Sequence, residues 1–221
     1  MKETLTSTEE NYIKAIYHLS EQGNETVSTN AISDSLATTA ASVSDMLRKL
    51  GEKKIANYEK YRGVTLTKEG SNIARLLVRS HRLWEVFLAE KLGYAWDEVH
   101  DIAEKLEHIR NEKLIERLDD FLGNPKYDPH GDPIPDAKGN ISNDNYVPLS
   151  QLKKDNVAVV VGVKDSSAKF LQYLDGYKIS LGTSLQVKDI IDYDGSVIIE
   201  INGQKLTLSS KAAECLMVSR A

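Results

Sequence analysis

The chain has 221 residues, 41% of them hydrophobic, and a formal net charge of −5 at pH 7. This composition suffices for two modest hydrophobic cores, and no apolar run approaches the roughly 18 residues of a membrane-spanning helix. The polar N-terminus, residues 1–10, lacks the apolar segment of a signal peptide, which favours the cytoplasm. The single cysteine, Cys215, excludes intrachain disulfides and Cys-rich zinc sites, so any bound metal must be held mainly by oxygen and nitrogen.

Three short amphipathic helices are predicted at the start of the chain. The first begins near Ser7 or Thr8, with Thr8 as the cap candidate before two glutamates and an apolar series. Ser28 or Thr29 caps the second helix, and the third follows a polar turn at residues 38–39. The second and third helices together predict a helix-turn-helix, although three short helices with a turn also occur in many unrelated proteins.

A two-stranded hairpin with a basic tip is predicted next. Residues 55–61 and 64–67 have strand character, and Arg62-Gly63 forms the turn between them. A helix-turn-helix followed by such a hairpin is a winged helix. Residues 40–79 carry nine Lys or Arg against four Asp or Glu, a surplus of five positive charges in an otherwise acidic chain. This local basic surface indicates a face that meets the phosphates of nucleic acid.

The exposed face of the third helix is expected to contact double-stranded DNA. Its small, polar and basic side chains suit the base edges and phosphates of a major groove, and the wing is expected to reach the DNA backbone. The candidate DNA-binding residues are Thr39, Ala40, Ser42, Ser44, Arg48 and Lys49 on the helix, and Lys60 and Arg62 on the wing.

A helical extension with more apolar surface than a winged helix needs follows the wing. One long helix is predicted from residue 67, and two more over residues 97–108 and 111–122. In a DNA-binding protein such an extension most often forms a dimer interface, and a two-fold dimer suits a palindromic operator.

Carboxylate and imidazole side chains are concentrated in this extension. Residues 100–108 place two histidines and two glutamates within an arc of about 100° on one helix face, next to a neighbouring apolar arc that includes Ile109. His81 and Glu85, four residues apart, share a face upstream. Imidazole nitrogens and carboxylate oxygens suit divalent manganese, iron, cobalt, nickel or zinc. On spacing alone, a solvated acidic helix surface explains the pattern equally well.

A change of composition separates this helical front from a β-rich back. All five prolines lie between residues 125 and 148, among glycines and asparagines, which predicts a linker. The β-branched runs that follow predict strands at 157–163, 185–191, 197–201 and 206–208. The predicted division is a winged-helix DNA-binding domain at 1–70, a helical dimerisation and metal-binding domain at 71–123, the linker at 124–150 and a small β-rich domain at 151–221.

Five segments, taken in order, resemble the diphtheria-toxin-repressor family of iron- and manganese-dependent bacterial transcriptional regulators. They are Thr-Glu-Glu-Asn-Tyr-Ile at 8–13, the wing Tyr-Glu-Lys-Tyr-Arg-Gly at 58–63, His-Arg-Leu-x-Glu at 81–85, Val-His-Asp-x-x-Glu-x-x-Glu-His at 99–108 and the linker Tyr-Asp-Pro-His-Gly-Asp-Pro-Ile-Pro at 127–135. The resemblance covers the whole chain. It implies a mainly α N-terminal part, with a winged helix-turn-helix and a helical dimerisation domain, and a C-terminal SH3-like barrel of the FeoA type.

The resemblance also implies two neighbouring metal sites in each protomer. The first metal site combines residues from the C-terminal half of segment 100–108 with a residue of the first helix. The second metal site uses residues that come earlier in the dimerisation domain. In some members the second site draws instead on the linker and tail, although for these linker residues a plain polar loop is the alternative. The implied ligands are Glu104, Glu107, His108 and Asn11 for the first site, and His81, Glu85 and His100 for the second, with Asp128, His130 and Asp165 offered by the linker and tail.

Three positions bear on the choice of metal. Iron-responsive members tend to have a sulfur-bearing residue where Glu104 stands and a methionine where Asn11 stands, whereas the manganese type has carboxylates at both. Glu104 removes the soft ligand and therefore favours Mn(II) over Fe(II). Asn11 offers only a carbonyl oxygen, so the site carries one negative charge fewer than the manganese type. Lys14 occupies a position that is acidic in some manganese-type members.

The resemblance implies a homodimeric repressor that senses Mn(II) or Fe(II) and controls metal-uptake genes, with no enzymatic activity, membrane partner or organic cofactor. Without metal, Glu104 and Glu107 are expected to repel one another and leave the first helix free to shift. A winged-helix regulator gated by an organic effector is one alternative. A di-metal carboxylate enzyme is another, but the Glu-x-x-His pairs that such enzymes usually carry are missing from the sequence.

Overall fold

The computed structural model describes residues 5–20, 25–109, 111–141 and 146–220. These form two compact units, one from the described residues of 1–81, 104–117 and 135–141, the other from those of 82–103, 118–134 and 142–221. Residues 142–145 of the predicted linker lie outside the described part of the chain. Within that part, no helix combines the length and the apolar character needed to cross a membrane.

The order of elements confirms a helical front and a β-rich back. The described helices are α1 Ser7–Leu19, α2 Thr29–Ser35, α3 Ala40–Glu52, α4 Lys68–Leu92, α5 His100–Leu106, α6 Glu112–Phe121, α7 Ala168–Gly176 and α8 Ser210–Cys215. The strands are β1 Ala56–Glu59, β2 Gly63–Leu66, β3 Val147–Pro148, β4 Val157–Val163, β5 Ser184–Ile190, β6 Val197–Ile201, β7 Gln204–Leu208 and β8 Leu216–Arg220. The predicted fold class, with its winged helix-turn-helix, is therefore confirmed.

Side-chain caps begin the three short helices of the first unit. In α1 the Thr6 hydroxyl accepts a hydrogen bond from Glu9 N, and the Glu9 carboxylate accepts one from Thr6 N. Thr6, not Thr8, is therefore the cap, because only a residue three positions before Glu9 can form this reciprocal pair. Ser28 caps α2 and Thr39 caps α3 through the same kind of hydroxyl contact.

One hydrophobic core holds the winged helix together. Ile16 of α1, Ile32 of α2, Leu47 of α3 and Val64 of β2 are all fully buried in it. β1 and β2 pair as the predicted antiparallel hairpin. Because α1 shares this core with α3, a displacement of α1 is expected to move the helix that carries most of the candidate DNA contacts.

The second unit is built on a six-stranded sheet with the order β3-β8-β4-β5-β6-β7, in which every neighbouring pair is antiparallel. The inward side chains of β4 to β8 form its core with α7, whose Leu171 and Leu174 are fully buried. The sequence predicted four of these strands near their observed positions. It did not predict α7 or α8, which are short and lie among strands.

α5 is shorter than the helix predicted over residues 97–108. It ends at Leu106, so Glu107 and the following histidine lie in a turn. Glu107 is only 3% exposed, whereas Ile109, expected on the apolar arc, is 42% exposed. The prediction of one helix that continues to residue 108, with Ile109 on its apolar arc, was therefore wrong, because the helix ends at Leu106.

Candidate metal centre

A first group of charged side chains meets within the first unit, where α1 approaches the residues around the end of α5. Glu107 Oε2 accepts a hydrogen bond of 2.7 Å from His81 Nδ1. Lys14 Nζ donates to both Glu107 oxygens at 2.7 Å and to Glu104 Oε1 at 2.5 Å. An imidazole, an ammonium and two carboxylates therefore form one network.

The charge state of Glu107 follows from this network. Burial by itself would raise the pKa of Glu107, because a low-dielectric surrounding disfavours the charged form. The hydrogen bond from His81 and the positive charge of Lys14 outweigh burial and hold the pKa of Glu107 below its ordinary value of 4.5. Glu107 is therefore an anion at neutral pH and is suited to binding a cation.

Two more predicted ligands lie in the first unit. His108 Nδ1 donates to Glu10 Oε2 at 2.7 Å, and His108 Nε2 lies 3.9 Å from Glu107 Oε1. Asn11 Oδ1 is buried and has no hydrogen-bond partner among the described residues. An unpaired buried carbonyl is costly, so this oxygen fits the role of a metal ligand.

The sequence did not identify two members of this group, Glu10 and Lys14, as contacts of the candidate ligands, although Lys14 stands at a position that is acidic in some manganese-type members. Both are buried on α1 and contact candidate ligands. Their spacing of four residues was the available signal, because it places both side chains on one helix face. That spacing did not reveal which residues the face would contact.

A separate group in the second unit consists of Glu85, Asp128 and His130. Each offers one ligand atom, and the three atoms lie within 4.8 Å of one another. All three residues are buried, and His130 Nδ1 lies 3.6 Å from Glu85 Oε2. His100 also reaches Glu85, with Nδ1 3.2 Å from Oε1, but its side chain is 47% exposed. We call Glu85, Asp128 and His130 the buried triad.

The backbone carbonyl of Trp96 orients the His130 ring. His130 Nε2 lies 2.8 Å from that oxygen and must donate, since a carbonyl only accepts. When the ring is neutral, Nδ1 therefore keeps its lone pair on the side of Glu85. The Trp96 ring also stacks on His130, with the centroids 6.4 Å apart. A carbonyl partner of this kind orients metal-binding histidines in many proteins.

When the His130 ring is neutral, Glu85 and Asp128 give the buried triad excess negative charge, which Arg82 Nε, 3.5 Å from Asp128 Oδ2, partly offsets. Burial, with the charges of Asp132 and Glu85, raises the pKa of Asp128 to about 7. Burial would lower the pKa of His130, but the hydrogen bond and charge of Glu85, with the charge of Asp128, raise it to about 9. The triad thus favours any added positive charge, whether a proton on His130 or a divalent cation.

A tight loop presents two members of the triad. Asp128 Oδ1 accepts a 2.8 Å hydrogen bond from His130 N, and His130 O accepts a 3.0 Å hydrogen bond from Val163 N of β4. Gly131 adopts φ +86°, and a Cβ there would lie 2.0 Å from Val161 O. The loop therefore lies directly against β4, and only glycine permits this approach.

Asp165, the candidate from the tail, makes a local contact. Its Oδ1 accepts a 2.9 Å hydrogen bond from Ser167 N in the turn before α7. Among the described residues, the ligand atoms that lie within 4.8 Å in the second unit belong to the buried triad and not to Asp165.

The candidate DNA contacts of α3 differ in availability. The Thr39 hydroxyl accepts from Ser42 N as the helix cap, and the Ser44 hydroxyl donates to Ala40 O at 2.9 Å. These two hydroxyls are therefore engaged within the helix. Arg48 is exposed and makes one loose contact of 3.4 Å with a neighbouring aspartate. The exposed candidates are Thr39, Ala40, Ser42, Arg48 and Lys49.

The wing carries exposed positive charge at its tip. Arg62 pairs with Glu59 at 3.1 Å, and both side chains are largely exposed. Lys60 Nζ lies 5.1 Å from the centroid of the Tyr61 ring, which is itself 94% exposed. These groups are free to approach a polyanion without unfolding the hairpin.

Comparison with known families accounts for nearly the whole chain. The model described as iron dependent repressor, N-terminal DNA binding domain, matches residues 4–64. The model described as iron dependent repressor, metal binding and dimerisation domain, matches residues 67–136, and the FeoA domain matches residues 147–220. These three matches follow one another along the chain.

Individual relatives share this arrangement. The diphtheria toxin repressor of Corynebacterium glutamicum is 26% identical over 227 residues, which cover 98% of this chain and 97% of that protein. The iron-dependent repressor IdeR of Mycobacterium leprae is 32% identical over 165 residues, 71% of each chain. A solved manganese-dependent transcriptional repressor in complex with manganese is 35% identical, with a TM-score of 0.86 over 96% of this chain and 100% of that one. The chain therefore belongs to the iron-dependent repressor family and is a metal-dependent, DNA-binding transcriptional repressor that ends in a FeoA domain.

Proposed function

We propose that this repressor senses Mn(II), with Fe(II) as the second candidate, at two sites in each protomer, and represses metal-uptake genes as a cytoplasmic homodimer on a palindromic operator. The observation that carries the proposal is that buried carboxylates and imidazoles meet in each unit without a sulfur ligand. Such oxygen and nitrogen donors suit Mn(II) better than softer ions. We propose no enzymatic activity, organic cofactor or membrane partner.

The proposed ligands of the first site are Glu104, Glu107, His108 and Asn11. The ionised Glu107 and the unpaired Asn11 oxygen support this assignment. A bound divalent ion supplies two positive charges that offset the carboxylates. Asn11 lies on α1, which shares a core with α3, so engagement of Asn11 would order the helix that carries the DNA contacts.

The proposed ligands of the second site are the buried triad and His100. The raised pKa of Asp128 and the orientation of His130 by Trp96 support a cation here. His81 and Asp165 are also retained as proposed ligands, although His81 Nδ1 lies 2.7 Å from Glu107 Oε2 and Asp165 Oδ1 accepts a hydrogen bond from Ser167 N.

Two relatives bear on the choice of ion. IdeR of Mycobacterium leprae is named iron-dependent, and the solved repressor that is 35% identical is named manganese-dependent. The donor set favours Mn(II), because Glu104 stands where a soft ligand would favour iron.

A groove in the first unit supports the proposed homodimer. It has a volume of about 730 Å³, and its lining includes Ile73, Leu76, Leu77 and Ile115. Leu76 is exposed and Ile73 and Ile115 are half-buried, and apolar surface of this kind marks protein interfaces. A two-fold dimer would place two α3 helices on the two halves of a palindromic operator, with Arg48, Lys49, Lys60 and Arg62 as the charged DNA contacts.

The division into four parts at 1–70, 71–123, 124–150 and 151–221 also stands as a proposal. Family models that match 4–64, 67–136 and 147–220 support the first and last boundaries to within a few residues. The model for the metal-binding domain extends into the proposed linker, which agrees with the ligand role proposed for Asp128 and His130.

The proposal is tested by titrating the chelated protein with Mn(II), and with Fe(II) under anaerobic conditions, while following the thermal midpoint and the dimer fraction. The wild type is compared with Glu107→Ala and with Glu52→Ala, which removes an exposed acid of the same unit. We expect both measures to rise with metal in the wild type and in Glu52→Ala, and to rise less in Glu107→Ala, which keeps only the second site. The ion that acts at the lower concentration is the co-repressor.

DNA binding is measured on sequences selected from random duplexes in the presence of that ion. A coupling of about 1–3 kcal/mol would tighten DNA binding roughly 5- to 150-fold in metal. An equal response of Glu107→Ala and wild type would contradict the ligand assignment. DNA binding that ignores both ions would favour the alternative of an organic effector.

A further inference from the structure

Lys14 occupies the centre of the first group of carboxylates. Its ammonium contacts three oxygens, Oε1 of Glu104 at 2.5 Å and both oxygens of Glu107 at 2.7 Å. The Lys14 side chain is 11% exposed, and the Glu107 side chain is fully buried. Two of the four proposed ligands of the first site are therefore already engaged by a cation that belongs to the protein.

An ammonium and a divalent ion cannot use these oxygens together. Divalent ions bind carboxylate oxygens at about 2.0–2.6 Å, which is within the space that the ammonium fills. Two cations in contact with the same buried carboxylates would also repel one another strongly, because little water separates them. Occupation by one therefore excludes the other.

We propose that Lys14 is a tethered competitor of the metal ion. In the metal-free protein its ammonium neutralises Glu104 and Glu107 and joins α1 to them, and metal binding requires this ammonium to leave. The inference rests on the proposed function, because the contested oxygens are those of the proposed first site. Lys14 thereby weakens metal binding and sets the concentration at which the repressor responds.

This arrangement changes the picture of the metal-free state. The sequence led us to expect that Glu104 and Glu107 repel one another and release α1. The structure instead supplies one positive charge between them, from α1 itself. The response would then arise from exchanging a monovalent, tethered cation for a divalent one that also engages His108 and Asn11.

The chain offers a matched control in Lys53. This lysine also pairs with a carboxylate of α1, with its Nζ 2.8 Å from Glu9 Oε1, and its side chain is 23% exposed. None of the proposed metal ligands takes part in that pair. Loss of Lys53 therefore removes a similar ion pair from the same unit without clearing the proposed site.

The test measures Mn(II) binding to the chelated full chain by the electron paramagnetic resonance signal of the free ion. We expect Lys14→Met to bind Mn(II) roughly 10-fold or more tightly, a typical size for coupling between linked groups, while its metal-free form melts at a lower temperature. Lys53→Met should also melt lower but bind Mn(II) as the wild type does. Unchanged or weaker Mn(II) binding by Lys14→Met would overturn the inference, because a purely structural lysine gives no gain in affinity.

A second measurement on the wild type covers the case in which Lys14→Met does not fold. Acetylation of each lysine amine is followed by mass spectrometry with and without Mn(II). Lys14 should react slowly without metal and faster with it, whereas Lys53 should not change. Protection of Lys14 that persists at saturating Mn(II) would overturn the inference.

The two levels of the hypothesis fail in different ways. If Glu107→Ala removes one of the two bound Mn(II) ions per protomer but Lys14→Met leaves the affinity unchanged, the first site stands and the competition by Lys14 is wrong. If the wild type binds no Mn(II) or Fe(II), or Glu107→Ala binds either ion as the wild type does, the proposed first site fails, and the inference fails with it.

Discussion

Substitution of Gly131 tests how the loop that carries Asp128 and His130 is positioned. Gly131→Ala changes no proposed ligand. The new Cβ would lie 2.0 Å from Val161 O and 2.5 Å from Gly162 Cα, both backbone atoms that cannot rotate away. The loop must therefore move off β4 and carry His130 away from Glu85.

The expected loss of folding stability in Gly131→Ala has two parts. An alanine at the left-handed φ of +86° costs about 1–2 kcal/mol. Relief of the clash resembles overpacking and adds about 1–3 kcal/mol. Gly123→Ala is the matched control, since Gly123 also has a left-handed φ, +78°, but has nothing within 4 Å of its would-be Cβ. We expect a loss of about 2–5 kcal/mol for Gly131→Ala and about 1–2 kcal/mol for Gly123→Ala.

The assay is urea unfolding of the metal-free protein by tryptophan fluorescence. Both tryptophans, Trp84 and Trp96, belong to the second unit, so the signal reports the unit that contains the loop. The Mn(II) affinity of the buried triad should also fall by roughly 10-fold or more in Gly131→Ala, as it does when other groups that orient a metal ligand are lost. Equal stability of the two alanine variants, or an unchanged metal stoichiometry and affinity in Gly131→Ala, would refute this reasoning.

Three further predictions concern the first unit. Burial would raise the pKa of Glu9, but Lys53 and the Thr6 backbone N–H outweigh burial and lower it. The ionised Glu9 therefore stabilises the fold at neutral pH, and this stabilisation is lost as the pH falls through the lowered pKa. Glu9→Gln should therefore cost about 1 kcal/mol at pH 7 in urea unfolding followed by circular dichroism, and a difference that did not shrink on acidification would contradict this. Thr39→Ala removes the cap of α3 and should therefore lower the stability of the fold by about 1 kcal/mol and weaken metal-dependent DNA binding. Unchanged DNA binding in a fluorescence anisotropy titration would count against α3 as the recognition helix. Arg62→Ala should weaken DNA binding both with and without metal, and it should reduce the slope of log affinity against log salt concentration by about one. An unchanged slope would show that Arg62 does not contact the DNA.

The sequence by itself determined the family and most of the elements, but not α7 or α8. Caps, the basic hairpin and the β-branched runs are local signals, and the predicted helices and strands of the winged helix and the β-rich domain were found near their expected positions. Local pattern could not place the end of α5, because the helical period continues through Glu107 although the helix stops at Leu106. The ligand types could also be read from the sequence, since the chemistry of carboxylates and imidazoles does not depend on their neighbours.

Only the tertiary structure decided which of these groups meet. The contacts of Lys14 with Glu104 and Glu107 join residues 90 and 93 positions apart, and that of His81 with Glu107 joins residues 26 apart. No periodicity spans such separations, because it reports the face on which a side chain lies and not what packs against that face. The same is true of charge: the sequence gives the number of carboxylates, but burial and the nearest cation decide that Glu107 is readily ionised and that Asp128 resists ionisation.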